Sequence, residues 1–462
     1  MVLNQTATAF LIVNATSLFL LPRRWALLPI LVTACYMTAA QGIVLGPFHF
    51  SVIRLMVLAG ILRVVLRGER LNQPPNALDG LIVLWAGWLL TSSLFHDDVS
   101  TALLYRLGLA FDVCGIYLLV RVFCQSMEDL VQLFKITAIV LVPVSVEMLY
   151  EKLHAYNIFS TFGGVDEIPY TRGGNVRAQG PFAHAILAGT VGAVCLPMTF
   201  SLWTVHRKLA LMGTAACLAM VYASTSSGPI ISVLAAVLAL VMWKFRDRAR
   251  LICWLAVLVY ITLDLVMEDP AYFIMARIDL AGGSTGWYRA RLIQSSIEHL
   301  SEWWAVGTDY TRHWMTHGLL SSPNHVDITN HYLKFGVLGG LPLVLLFIAQ
   351  LRRGFLFVGQ TVAQWIDCPV RVKFAFSVWC LGAALFVHAV TCISISYFDQ
   401  TGVFLYMTLG AISATQSKTF VYGRTRWKRR TAKRKADRIE NNFDRNEVAG
   451  EGLRLSRDVN RL

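Results

Sequence analysis

The chain has 462 residues, 56% of them hydrophobic and only 15% charged, with a formal net charge of +13. Soluble domains are usually about 45–50% apolar and about 25% charged, so the composition argues against a water-soluble fold and excludes disorder for all but the C-terminal tail. The apolar residues form continuous blocks of about 15–24 residues, the length at which a helix crosses a bilayer. These blocks do not alternate as barrel strands would, so we predict an all-α polytopic transmembrane bundle.

Thirteen apolar segments are predicted spans, and the cations between them set the orientation. The lysines and arginines of the connections fall on one side, which the positive-inside rule assigns to the cytoplasm. The first segment is short enough to lie in the interface, so the prediction is 13 spans with the N-terminus outside or 12 with it inside. The C-terminus is cytoplasmic either way. The segments are 7–21, 25–40, 43–66, 77–95, 102–123, 131–149, 182–203, 209–225, 228–243, 250–267, 331–350, 372–393 and 397–415.

Two connections on the opposite, extracytoplasmic side are long, and long loops in compact proteins usually have a function. The first, 150–181, is rich in glycine, and the second, 268–330, is predicted to be a small helical loop domain. The chain therefore divides into these two loops and four further regions. They are N-terminal spans 1–149, central spans 182–267, C-terminal spans 331–415 and a tail 416–462.

The tail is basic, and the cysteines follow no bridging pattern. From Lys418 onward, 14 Lys and Arg stand against six Asp and Glu. This predicts a cytoplasmic tail lying against anionic membrane lipid, with nucleic-acid binding as the disfavoured alternative. The nine cysteines include no CxxC spacing, so neither disulfides nor structural zinc is expected. The N-terminus lacks the basic region and the cleavage site of a signal peptide.

Two arginines of the large loop lie on opposite faces of a predicted helix. The large loop contains arginines but no lysine. Residues 287–304 have an amphipathic pattern. Arg289 shares the apolar face with Ile293, whereas Arg291 shares the polar face with Glu298. A charge on an apolar face is costly unless it has a task or a partner. Arg289 is therefore the preferred functional residue, and surface ion pairing is the alternative for both arginines.

The large loop and its end also hold five of the eleven histidines, which are His299, His313, His317, His325 and His331. His313 and His317 have the i, i+4 spacing of metal ligands, but no supporting motif surrounds them, so no metal is predicted. Three tryptophans of the loop are candidates for stacking on sugars, with interfacial anchoring as the alternative. They are Trp303, Trp304 and Trp314.

The end of the large loop predicts a helix start beside a histidine. Asp327, Thr329 and Asn330 are all good N-cap residues, so the following span begins at the outer surface. Its positive dipole end attracts an anion, and a histidine next to it is a plausible proton acceptor. The alternative is that Asp327 and Asn330 only cap the helix.

Four short motifs resemble those of the O-antigen ligase and O-antigen polymerase superfamily, in the same order and over roughly residues 90–415. His325, followed by Gly336 and Gly339, is similar to that family's His-Asn-x-Tyr-Leu … Gly-x-x-Gly motif. Here Val326 replaces the Asn, while Asn330 precedes His331, so His331 is an alternative, although the spacing to Gly336 favours His325. The other three matches are Arg289 with Gly307, Arg177 to Phe182 (RAQGPF), and Thr225 to Gly228 (TSSG), in which Ser227 replaces an Arg.

The resemblance implies a metal-independent, cofactor-free glycan transferase of the bacterial inner membrane. Such an enzyme moves a glycan from an undecaprenyl-diphosphate carrier to an acceptor sugar hydroxyl during lipopolysaccharide or exopolysaccharide assembly, on the periplasmic side. The expected partners are that donor, a glycan or lipid-linked acceptor, and membrane lipids at the tail, without nucleic acid. A polymerase is placed slightly ahead of a ligase. The alternatives are a transporter or flippase and a catalytically silent assembly partner.

The resemblance also suggests residue roles. Arg177 and Arg289 hold the diphosphate, with Arg291 and Asn330 as further candidates. His325 deprotonates the acceptor hydroxyl, oriented by Asp327 or His331, unless His331 is itself the base. The tryptophans Trp303, Trp304 and Trp314 line the sugar path.

Overall fold

The computed structural model describes residues 3–71, 74–278, 286–315, 321–366 and 372–416. It is 76% helical with almost no sheet, which confirms the predicted fold class at this level. The predicted basic tail lies outside the described residues, and so does His317.

The N-terminal part contains five helices and one hairpin. Its helices are α1 (Gln5–Leu20), α2 (Leu27–Tyr36), α3 (Val52–Leu66), α4 (Ala77–Thr91) and α5 (Val99–Phe123), and the strands between α2 and α3 are β1 (Gly42–Leu45) and β2 (Phe48–Ser51).

The prediction of one continuous span over 43–66 is wrong. Its first part is the antiparallel β1–β2 hairpin, in which Ile43 pairs with Phe50. The turn contains Gly46 with a φ of +59°, a conformation that glycine adopts without strain. The helix α2 is also shorter than predicted: its 10 residues rise only about 15 Å, half the thickness of a bilayer core.

The central part packs around α7, which contacts α6, α8, α9 and α15. No residue of α10 is buried, so this helix stands apart from the bundle. The elements are α6 (Met127–His154), β3 (Thr171–Arg172), β4 (Asn175–Val176), α7 (Ala185–Ser201), α8 (Arg207–Ser224), α9 (Ser227–Val241) and α10 (Ala249–Val266).

The C-terminal part consists of short loop helices followed by three long ones. They are α11 (Ile274–Arg277), α12 (Gly286–Glu298), α13 (Leu300–Trp303), α14 (His331–Ile366), α15 (Val372–Ser394) and α16 (Thr401–Thr415). Short 3-10 helices occupy Arg23–Trp25, Ser92–Phe95, Ile158–Phe162, Leu202–Thr204, Met242–Arg248, Ala271–Phe273 and Arg312–Trp314.

Seven helical segments among the described residues are long and apolar enough to cross a membrane. The expectation of a multi-pass helical chain is confirmed to that extent, and the count of 12 or 13 spans stays a prediction. The segments are Ala77–Phe95, Val99–Phe123, Met127–His154, Ala185–Thr204, Ser227–Val266, His331–Ile366 and Phe374–Ser394.

Ion pairs join the chain connections at one end of the bundle. Arg23 contacts Asp129 over 3.0 Å, between the start of α2 and the start of α6. Arg63 is fully buried and contacts Glu69 over 2.8 Å at the end of α3. Arg63 also donates to the carbonyl of Leu21 over 2.9 Å, so these contacts place the connections α1–α2, α3–α4 and α5–α6 together.

The opposite end holds the connection 155–184 and the described parts of the connection 267–330, and we call it the loop end. The connection between α15 and α16 also lies at the loop end, where it contacts the connection 155–184. Gln400 donates to the carbonyl of Pro181 over 3.0 Å, and the N–H of Ala183 donates to Asp399 over 3.1 Å.

A break in α14 lets the loop segment dock on the bundle. At Gly339 and Gly340 the backbone leaves helical geometry, and the N–H of Leu341 donates to the carbonyl of Trp304 over 2.8 Å. A Cβ at Gly336 would meet the Trp303 ring at 2.6 Å. Gly336 of the predicted motif therefore allows the close approach of α13 to α14.

The substitution G340A is expected to destabilise the protein by about 3 kcal/mol or more. Gly340 has a φ of +71°, and an added Cβ would lie 2.4 Å from the carbonyl of Ala305. Thermal unfolding in detergent measures the effect. The control is G87A, since Gly87 is helical with nothing within 4 Å. Equal melting temperatures for the two variants would contradict the role of the break.

Candidate active site

Arg177 lies in the connection between α6 and α7, and its neighbours are fixed by hydrogen bonds. Glu151, in the last turn of α6, accepts from the N–H groups of Gln179 over 3.1 Å and Gly180 over 2.7 Å. Arg177 Nη2 donates to the Oγ of Ser226 at the α8–α9 junction over 2.7 Å. Two of the sequence motifs are therefore in contact, and they hold a guanidinium that is only 1% exposed.

Arg172, Arg177 and Arg289 converge at the loop end from two separate connections, and we call them the arginine cluster. Burial, together with the positive charges of Arg172 and Arg289, lowers the pKa of Arg177 to about 10. Burial and the charge of Arg172 also lower the pKa of Arg289. Two of the same charges act on His184, the N-cap of α7. Burial and the positive charges of Arg177 and Arg172 lower the pKa of His184 to about 4. The local field is therefore strongly positive.

Arg177 and Arg289 form no salt bridge with a carboxylate within the described residues. The Nε of each is buried and makes no hydrogen bond there. The carboxylate of Asp327 opposes the fall in the pKa of Arg289 without bonding to it. Buried donors without acceptors are costly, and an anion with several oxygen atoms, such as a diphosphate, would satisfy them.

A cleft of about 690 Å³ opens beside Asp327, and we call it the large cleft. Asp327 and His325 line it from the end of the loop segment, and Lys334 lines it from the first turn of α14. Asp327 thus links the arginine cluster to the cleft. Of the predicted residues, His325 lines the cleft, whereas Arg177 and Arg289 belong to the arginine cluster and are not among its lining residues.

His325 is half-buried and held through one ring nitrogen. Its Nδ1 lies 3.2 Å from the Oγ1 of Thr311, which is fully buried and also accepts the N–H of Val326 over 3.2 Å. When Nδ1–H donates to Thr311, Nε2 keeps its lone pair, as a general base requires. Burial and the neighbouring His96 lower the pKa of His325, whereas Asp309 opposes this effect.

The sequence did not single out a polar network behind His325. His96 Nδ1 lies 2.5 Å from Asp309 Oδ1, and its Nε2 lies 2.6 Å from Arg106 Nη2. Because Arg106 can only donate, Nε2 accepts and the proton of His96 sits on Nδ1, facing the carboxylate. The only local indication of this network in the sequence is the polar run that follows α4 and contains His96. The partner of His96, Asp309, lies far away in the sequence.

His331 and Asn330 have structural contacts at the start of α14. Asn330 Oδ1 accepts the N–H groups of Tyr332 over 2.9 Å and Leu333 over 3.1 Å, so it is the N-cap that the sequence predicted. His331 is 5% exposed, and its Nδ1 accepts the N–H of Tyr397 over 3.1 Å. The proton of neutral His331 therefore lies on Nε2, which favours His325 as the base.

The remaining predicted residues have contacts that favour structural roles. Trp303 and Trp314 are buried in the core of the loop segment, and their indole N–H groups donate to Ser296 and Glu302. Arg291 pairs with Glu298 over 3.4 Å. Trp304 is 56% exposed. The buried face of α12 consists of Gly286, Ala290, Leu292, Ser295 and Ser296, and it is not the predicted apolar face.

A second cavity, of about 250 Å³, adjoins the large cleft, and we call it the small cavity. Both are lined by Tyr105, Lys334 and Phe398. Arg54 and Asp112 also line the small cavity and pair over 3.0 Å. Charged side chains among apolar helices usually have a functional or pairing role.

Comparison of the chain with models of known protein families finds no match, and comparison with curated proteins finds none either. The site can be judged by its chemistry alone. It offers cationic donors for an anion with several oxygen atoms, and beside them a cleft with an imidazole suited to accept a proton.

Proposed function

We propose that the chain is a membrane glycosyltransferase of the O-antigen ligase or polymerase type. It transfers a glycan from an undecaprenyl-diphosphate carrier to an acceptor sugar hydroxyl on the periplasmic side of a bacterial inner membrane. In this proposal the C-terminus is cytoplasmic, and the basic tail contacts anionic lipid.

The observation that carries the proposal is the pair Arg177 and Arg289. Two guanidinium groups from separate connections lie close enough for the charge of Arg289 to lower the pKa of Arg177. Neither forms a salt bridge with a carboxylate among the described residues. A folded protein tolerates such a cost where a ligand offsets it. A diphosphate leaving group carries the charge and the oxygen atoms that these donors require.

In the proposed reaction the arginines act on the leaving group and His325 acts on the acceptor. The acceptor hydroxyl attacks the anomeric carbon, the bond from that carbon to the diphosphate oxygen breaks, and the diphosphate leaves with the electron pair. Arg177 and Arg289 stabilise the negative charge on that oxygen. His325 Nε2 takes the hydroxyl proton. Asp327, whose carboxylate opposes the fall in the pKa of Arg289, balances part of the charge of Arg289 when the donor is absent.

Reconstitution tests this function and separates its two forms. The purified protein is placed in proteoliposomes with a lipid-linked oligosaccharide extracted from its own host, and the products are separated on a gel. A ladder of lengths indicates polymerase activity, which we place ahead of ligation. A single added glycan on a lipid A-core acceptor indicates ligation. Absence of both products, with the lipid-linked donor recovered unchanged, would refute the proposal.

The rate of transfer is expected to fall in acid only below about pH 6.5, the ordinary pKa of imidazole. Burial and His96 lower the pKa of His325, so the base stays unprotonated at pH values where free imidazole is half-charged. The kcat/KM profile between about pH 5 and pH 8 measures this limb. A limb above the ordinary value would contradict His325 as the base.

A transporter is the second candidate, and the small cavity favours it. Arg54, Asp112 and Lys334 line a space between apolar helices, as coupling groups of transporters do. The variant D112N separates the two functions. A transporter would lose translocation of a fluorescent lipid-linked glycan, whereas a transferase that does not use this pair would retain product formation.

A further inference from the structure

Three side chains that the proposed transferase does not use meet on the loop segment. The ligand atoms of His299, Glu302 and His313 all lie within 4.8 Å of one another. His299 and Glu302 are three residues apart and so share one side of a helical turn. His313 comes from the 3-10 helix Arg312–Trp314, and we call the three residues the His299 cluster.

Surrounding hydrogen bonds orient the ligand atoms of the cluster. His299 Nδ1 donates to the carbonyl of Ser295 over 2.9 Å, which leaves the lone pair of Nε2 free to coordinate. The indole N–H of Trp314 donates to Glu302 Oε2 over 3.1 Å. Histidine ligands of metals are commonly held in this way, by a backbone carbonyl on the second nitrogen. His313 Nε2 lies 2.8 Å from the same oxygen of Glu302.

We propose that His299, Glu302 and His313 bind a divalent transition-metal ion, with zinc as the best fit. Two imidazoles and one carboxylate are a common zinc ligand set, and a water molecule completes four-coordination. All three side chains have solvent-accessible surface, so the ion has an entry path. Binding replaces the hydrogen bond between His313 and Glu302, and the proton on His313 Nε2 is released to solvent. The three groups are drawn together, since zinc holds its ligands at about 2.0–2.2 Å.

The bound ion would join α12 and α13 to the segment that supports His325. His313 lies two residues from Thr311, whose hydroxyl holds His325 over 3.2 Å. The metal is thus a structural clamp on the loop segment rather than a participant in transfer. This inference goes beyond the proposed function and stands without it.

Zinc titration of the purified full-length protein tests the site. A tag without histidine is used, the protein is stripped with a chelator, and zinc is added in competition with a chromophoric chelator. We expect one tight zinc per chain, and an affinity about tenfold or more weaker in H299A and E302Q. The control is H206A, because His206 is an exposed residue before α8 that makes no capping hydrogen bond.

Thermal unfolding provides a second readout that is independent of transfer activity. Zinc should raise the melting temperature of the wild type and of H206A, because a ligand that binds only the folded state stabilises it. At the same zinc concentration it should raise the melting temperature of E302Q by a smaller amount. Zinc affinity that is the same in the wild type and in E302Q, or no zinc binding by the wild type, would overturn the proposal.

Discussion

The substitution R289A is expected to lower the rate of transfer by about 10²–10³-fold, the usual cost of removing one donor to a developing anion. Arg289 has a buried Nε without a hydrogen-bond partner in the described residues, and its charge adds to that of Arg177. Removing it relieves this repulsion but also removes the charge that opposes Asp327, so we expect the stability of the folded protein to change little. Initial rates with a lipid-linked donor and melting temperatures measure the two effects.

Arg291 provides a matched control on the same helix. It pairs with Glu298 over 3.4 Å, and its side chain is 42% exposed, so R291A should retain transfer within a few-fold, as expected for a surface ion pair. The variant R289K keeps the charge but loses the planar fork, and its rate should fall between those of R289A and the wild type. Equal rates for R289A and R291A would contradict a diphosphate site at Arg289.

The sequence predicted the long helices because length and hydropathy are sufficient to identify a membrane span. They are not sufficient to separate a short helix from a hairpin, so the segment before α3 was misassigned. The turn at Gly46, followed by Pro47, was the available signal. Likewise, the predicted apolar face of α12 includes Ile297, which is 54% exposed. Tertiary packing around Trp303, rather than the apolar pattern alone, determines which face of α12 is buried.

The candidate site was predictable only in part, because its parts come from distant positions. Spacing and phase indicated Arg289 and His325, and the resemblance indicated Arg177. Nothing local links His96 to Asp309, which are 213 residues apart. Such pairs arise only when the chain folds, and a single sequence carries no trace of them.

The substitution H325N is expected to reduce transfer by about 10²–10⁴-fold, the usual contribution of a general base. The amide of Asn can still bond Thr311 in place of Nδ1, which lies 3.2 Å from that hydroxyl. The loop segment should therefore stay folded while the proton acceptor Nε2 is lost. Initial rates with the lipid-linked donor measure the loss, and an unchanged melting temperature shows that the fold persists.

The same change at His331 is the control that distinguishes the two histidines. His331 Nδ1 accepts the N–H of Tyr397 over 3.1 Å, and the side-chain oxygen of Asn can accept that bond in its place. H331N should therefore keep transfer within about tenfold, since it removes no base. If H331N lost transfer and H325N kept it, the base would be His331, and the helix start rather than the large cleft would be the reacting side. If both kept it, neither histidine would be the base.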